Sequence, residues 1–146
     1  MSDKPRILIF TGDGKGKTTA ALGMAFRAAG HAMRSCVIQF IKSDLTVGEI
    51  AAAGASEFID IHPTGLGFVP SNGDARFSQH QAAAQAGLQQ ASDAIASGRF
   101  SLIILDEICS AVAYGLIDEG RVITLMAQIT PDACLVLTGR NATAGL

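Results

Sequence analysis

The chain has 146 residues, enough for one compact domain, and about half of them (49%) are apolar, enough for a real core. Its formal charge of −2 excludes a general attraction to nucleic acid or to an anionic membrane, so any anion must be held by a locally built site. No apolar run approaches the ~20 residues of a membrane span, and the polar start Met1-Ser2-Asp3-Lys4-Pro5 carries no signal pattern, so a cytoplasmic protein is expected.

Residues 6–10 form a short run rich in β-formers, read as a buried strand. A loop over 11–17 leads into a helix over 18–29, with Gly30 as its stop signal. Residues 35–41 read as a second strand, 49–53 as a short helix, and 57–61 as a third strand. A loop rich in glycine and proline covers 62–74. The next helix spans about 75–96, with Phe77, Ala84, Leu88, Ala91 and Ile95 on one apolar face, and Ser97-Gly98 ends it. Residues 100–105 are an apolar strand closed by Asp106-Glu107. Short helices over 108–114 and 119–129 precede a last strand over 133–137 and then Thr138-Gly139-Arg140.

Strands and helices alternate, and the strands are continuous apolar runs, the pattern of a parallel sheet covered on both faces. The expected fold is a three-layer α/β domain of the phosphate-loop NTPase (RecA-like) class with a mostly parallel central sheet, filling residues 1–146 as one domain. Ligands in such sheets bind beyond the carboxyl ends of the strands. The loop after Phe10, the acids after Leu105 and the arginine after Leu137 all belong to that edge. Cys36, Cys109 and Cys134 are odd in number, lie in apolar stretches and lack metal-ligand spacing, so buried reduced thiols are expected.

The chemistry concentrates in Thr11-Gly12-Asp13-Gly14-Lys15-Gly16-Lys17-Thr18-Thr19, between a strand and a helix. Glycines let the backbone wrap so that several N–H groups face phosphate oxygens. The helix N-terminus adds its dipole and unpaired N–H groups. Lys17 brings a positive charge, and Thr18 offers a hydroxyl to Mg²⁺, a hard cation that takes oxygen ligands. Thr11 stands where the usual pattern has its first glycine, and Lys15 is an extra cation in the loop. The loop predicts binding of Mg-ATP. Asp106 and Glu107 either reach the magnesium from the end of their strand or cap the following helix. A carboxylate there could equally activate water. An ATPase or small kinase and a non-catalytic ATP-binding module therefore both remain open on the residues alone.

The loop Gly12–Ala21 resembles that of the phosphate-loop ATP:corrinoid adenosyltransferases. Further matches run in order: Arg27-Ala28, Gly30-His31, Val37-Ile38-Gln39-Phe40-Ile41-Lys42, Gly48-Glu49, Thr64-Gly65, Leu105-Asp106-Glu107, Val112-Ala113-Tyr114 and Thr138-Gly139-Arg140. The resemblance implies that Co(I) of a reduced corrinoid (cobalamin) attacks the 5′ carbon of ATP and that triphosphate leaves. Co(I) is itself the nucleophile, so the protein has only to position the 5′ carbon and stabilise the leaving group. By the same resemblance the triphosphate lies reversed in the loop, and Gly12, Asp13, Gly14, Lys15, Gly16, Lys17, Thr18 and Thr19 bind it. Thr18 and Glu107 map onto the magnesium ligands, with Asp106 supporting them.

Leu66 and Phe68 occupy positions where the family packs aromatics beneath the corrin, and Leu66 is a departure from that aromatic. Arg140 is a candidate for the phosphates or the corrin edge, and Arg27 for ligand contact or a structural ion pair. The family often forms homodimers and receives electrons from a reductase, so a second copy and a flavoprotein reductase are candidate partners. Its members commonly carry a longer N-terminal segment and continue past the Thr-Gly-Arg run into a further helix and strand. A domain lacking that C-terminal part is therefore expected.

Overall fold

The computed structural model describes residues 3–146. Its elements are β1 (Arg6–Phe10), α1 (Lys17–Gly30), β2 (Ser35–Gln39), α2 (Gly48–Gly54), β3 (Ile59–Pro63), α3 (Phe77–Ser97), β4 (Leu102–Asp106), α4 (Ile108–Ala113), α5 (Glu119–Met126) and β5 (Cys134–Thr138). The five strands form one sheet in the order β1-β5-β4-β2-β3, and each pairing is parallel. The last strand is thus inserted between the first and the fourth. Among the described residues no helix is long and apolar enough to cross a membrane.

Side chains alternate between the two faces of a strand, and both faces here are apolar. On one face Val37, Leu102, Ile104 and Val136 pack against Ala21 and Ala25 of α1. The two alanines let α1 approach the sheet closely. On the other face Ile38, Ile103, Leu105, Leu135 and Leu137 join Phe77, Ala84, Leu88 and Ala91 of α3, with Val122 and Leu125 of α5. Ile95, the last member of the expected stripe, is only partly buried and packs at the margin of this cluster. The result is a mixed α/β fold of three layers around a parallel sheet.

Several element ends differ from expectation. Helix α1 runs through Gly30; the left-handed residue that ends it is Ala32, at φ 57°, where Met33 N–H donates to the Ala28 carbonyl. Strand β2 closes at Gln39, its last pair with β4, where Phe40 N–H gives the final ladder bond to the Asp106 carbonyl. Strand β3 starts at Ile59, since Phe58 N–H is tied to Ser56 Oγ in a turn. Strands β4 and β5 begin later than their apolar runs and end one residue later, on Asp106 and Thr138. Helix α5 ends at Met126, three residues short of Ile129. Cys36 and Cys109 are buried, Cys134 is partly so, and all three are free thiols.

Candidate active site at the carboxyl edge of the sheet

Helix α1 starts at Lys17, and its cap is Gly16 at φ 107°, a left-handed conformation that a side chain would strain. That glycine turns the loop from β1 into the helix. The Lys17 ammonium folds back to donate to the carbonyls of Gly12 and Gly14, which closes the loop into a ring. Asp13, Lys15 and Thr19 are exposed around it, and Lys17 and Thr18 are half-buried. The loop's backbone is therefore open to a polyanion from solvent.

Thr18 is the link to the rest of the site. Its hydroxyl donates to Asp106 Oδ1 at 2.7 Å. The same oxygen accepts a second hydroxyl, that of Thr138 at the end of β5, at 2.9 Å. Thr138 Oγ1 in turn accepts Glu107 N–H at 2.9 Å. Asp106 and Thr138 are fully buried. Asp106 Oδ2 is buried and accepts no hydrogen bond; its nearest cation is Lys42 Nζ at 3.8 Å.

Glu107 has a different setting. Its backbone sits at φ 65°, uncommon for a residue with a side chain, and it caps α4. Its carboxylate accepts the Ser110 hydroxyl at 2.7 Å, one helical turn on. Of the two acids, Asp106 is the one that reaches Thr18.

The 138–142 segment is stitched over the phosphate loop. Gly139 N–H donates to the Phe10 carbonyl, Ala142 N–H to Thr11 Oγ1, and Arg140 N–H to Ser110 Oγ at 3.0 Å. Thr11, in the place of a loop glycine, thereby accepts a tether. Arg140 emerges exposed beside the loop. Gly139 permits this approach: at φ 137°, a Cβ there would lie 2.6 Å from Ser110 N.

The 64–68 loop belongs to the same edge but the other end of the sheet. Thr64 and Gly65 N–H both donate to the Gln39 carbonyl, and Gly67 N–H to that of Ile41. Leu66 is 49% and Phe68 96% exposed, so neither contributes to the core. The bonds to Gln39 and Ile41 fold the loop back onto the end of β2, three strand spacings from β1, so it stands roughly 14 Å along the edge from the phosphate loop.

Arg27 is not brought to the site. At about 1.5 Å per helical residue it lies roughly 15 Å from Lys17, at the far end of α1. There it lines a cavity of about 390 Å³ with Arg6, Met24, His31 and Cys134, at the opposite edge of the sheet. Sequence reasoning assigned no role to Ser110, to the hydroxyl of Thr138 or to the Lys42–Glu49 pair, 3.1 Å apart. Ser110 carried a usable signal, because it follows Glu107 at helical spacing.

Magnesium fits these residues. Thr18 and Asp106 are oxygen donors in contact, and Asp106 Oδ2 is an acceptor without a hydrogen bond. Among the described residues no three His, Cys, Asp or Glu side chains gather as a metal cluster. A cation here would draw its remaining ligands from phosphate and water.

Comparison with known proteins agrees with this geometry. The family model of ATP:corrinoid adenosyltransferases of the BtuR/CobO/CobP type matches residues 3–146. The corrinoid adenosyltransferase of a Sinorhizobium species is 35% identical over 143 residues, 96% of this chain and 66% of the relative. That of Pseudomonas aeruginosa is 33% identical over 141 residues, 96% of this chain and 68% of the relative. The chain thus spans about two thirds of the length of these curated relatives. In fold it is similar to a KaiC-like protein from Pyrococcus horikoshii, with a TM-score of 0.59 at 13% identity, over 93% of this chain and 61% of the other. A glycine loop alone would fit many nucleotide-binding proteins; a family match from residue 3 to residue 146 does not, and the chain belongs to the ATP:corrinoid adenosyltransferase family.

Proposed function

We propose that this chain transfers the 5′-deoxyadenosyl group of ATP to the Co(I) of a reduced corrinoid, with triphosphate as the leaving group. The observation that carries the reading is the 2.7 Å hydrogen bond from Thr18 to Asp106, which joins a phosphate loop to a buried acid. In a member of this family, that pairing is where a metal-bound polyphosphate belongs. Within the α/β class we infer the RecA-like arrangement, supported by the insertion of β5 between loop-bearing β1 and acid-bearing β4.

In the reaction, cobalt supplies the electron pair for a new Co–C5′ bond while the bond from C5′ to the triphosphate oxygen breaks. No side chain has to be activated as a nucleophile. The work of the protein is to hold the 5′ carbon in line and to receive the charge of the leaving group. Main-chain amides of residues 12–18, the α1 dipole, Lys15 and Lys17 serve that charge. Thr18, Asp106 and Glu107 would hold Mg²⁺, which neutralises phosphate charge when bound. Arg140 reaches phosphate or the corrin edge from the 138–142 segment. Leu66 and Phe68, exposed at the other end of the row, offer an apolar surface to the corrin. Arg27 lies too far along α1 to join them.

The test is anaerobic incubation with ATP, Mg²⁺ and chemically reduced cobalamin, following the corrin absorption spectrum and the released phosphates. A new alkyl-cobalt spectrum with stoichiometric triphosphate is expected. Release of ADP would move the chain to the ATPase or kinase class, and ATP binding without turnover would make it a binding module. A cytoplasmic location, a homodimer and a flavoprotein electron donor are further parts of this proposal. Sedimentation tests the dimer.

A further inference from the structure

Lys42 and Glu49 lie beside the magnesium position without belonging to the phosphate loop. Lys42 Nζ is 3.1 Å from Glu49 Oε1 and 3.8 Å from Asp106 Oδ2. The first distance is a charge-assisted hydrogen bond, and the second is beyond hydrogen-bond reach. Asp106 Oδ2 is buried with no hydrogen bond, on a side chain only 1% exposed. A buried carboxylate oxygen without a donor or solvent is costly, and a nearby cation offsets that cost. Lys42 is the cation on that side, and it remains 35% exposed and able to move. Glu49, on α2, is its alternative seat, steadied by Gln39 Nε2 at 3.5 Å.

We propose that Lys42 is an internal counter-ion for Asp106 that competes with the incoming divalent cation, and that Glu49 sets the strength of that competition by drawing Lys42 away. The inference rests on the reading of Thr18 and Asp106 as the magnesium position. With the position empty, the ammonium screens Asp106. With a divalent cation present, two positive charges would crowd one carboxylate, and Lys42 retires to Glu49. Lys42 and Glu49 are thus positioning residues. They tune how readily the metal enters without taking part in adenosyl transfer.

The test is a double-mutant cycle read by Mn²⁺ binding, using water-proton relaxation on the nucleotide-free chain and then on the chain with Mn-ATP. Lys42→Met is expected to tighten Mn²⁺ roughly tenfold, between the effect of an exposed and a buried ion pair. Lys42→Arg, which keeps the charge, is expected to stay within about threefold of wild type. Glu49→Gln is expected to weaken Mn²⁺ severalfold in the wild-type background and to change nothing in the Lys42→Met background. Equal effects of Glu49→Gln in both backgrounds would show plain long-range attraction and overturn the proposal. So would an unchanged affinity in Lys42→Met. If wild type binds Mn-ATP and Lys17→Ala does not, while the cycle is additive, only the Lys42 inference falls. If wild type binds neither Mn²⁺ nor Mn-ATP, the site itself falls with it.

Discussion

Replacing Thr138 with valine keeps the side-chain shape and removes one buried oxygen. Two bonds depend on that oxygen: the hydroxyl it donates to Asp106 Oδ1 at 2.9 Å and the Glu107 N–H it accepts at 2.9 Å. The first is a hydrogen bond to a charged group, worth about 1.5–3 kcal/mol. Loss of the second leaves a backbone donor unpaired, which costs about 1–3 kcal/mol. Glu107 is held at φ 65°, and its release would return about 1 kcal/mol of backbone strain. The net expectation is a destabilisation of about 2–4 kcal/mol, or a Tm lower by roughly 5–15 °C for a domain of this size. Thermal and urea unfolding followed by circular dichroism measure it. Thr138→Ser keeps both bonds and loses one methyl, so it should fall by only about 1 kcal/mol. Stability of the valine variant within about 0.5 kcal/mol of wild type would refute the claim that this hydroxyl holds the two acids.

Lys17→Ala should abolish productive ATP binding while leaving Tm almost unchanged, because the ammonium bonds only the carbonyls of its own loop; calorimetric titration with Mg-ATP checks it. Leu66→Phe should preserve or raise corrinoid adenosylation, since the side chain is half exposed and carries no core contact; a large loss of activity would show that this loop does not meet the corrin. Gly139→Ala should destabilise by about 2–4 kcal/mol, because its φ of 137° disfavours a side chain and the added Cβ would meet Ser110 and Cys109, as chemical denaturation would report. Burial, reinforced by the charge of Asp60, raises the Cys36 thiol from 9.0 to about 11. Burial, and then Glu107, raises Cys109 likewise to about 11. A thiol whose folded value is raised contributes stability in full below pH 9.0 and loses it as pH rises towards 11. Urea midpoints should therefore fall between those pH values, and a Cys36→Ala/Cys109→Ala variant should show a shallower fall.

Much of the architecture was legible in the residue order. Runs of five to seven residues rich in β-formers, separated by helical stretches, specify parallel strands buried on both faces, and every expected strand exists. The wrapped glycine turn before α1 was legible too, because its glycines, lysine and threonine are consecutive in the chain. Element ends were less so. The last ladder bond of β2 runs from Phe40 N–H to the Asp106 carbonyl, a partner 66 residues away in sequence whose position no local pattern reports.

What the amino-acid order determined by itself is the set of local devices: the wrapped loop before α1, the acid pair closing an apolar strand, and the alternation of strand and helix. These follow from backbone preferences and hydrophobic periodicity, which act over a few residues. Tertiary structure alone decided which groups meet. Insertion of β5 between β1 and β4 brings Thr138 to Asp106 and lays residues 139–142 over the loop, while the length of α1 carries Arg27 to the far edge. The choice of Asp106 over Glu107 as the partner of Thr18 has the same origin: consecutive residues point to different places once the backbone turns at φ 65°, and that turn is set by a hydroxyl on another strand.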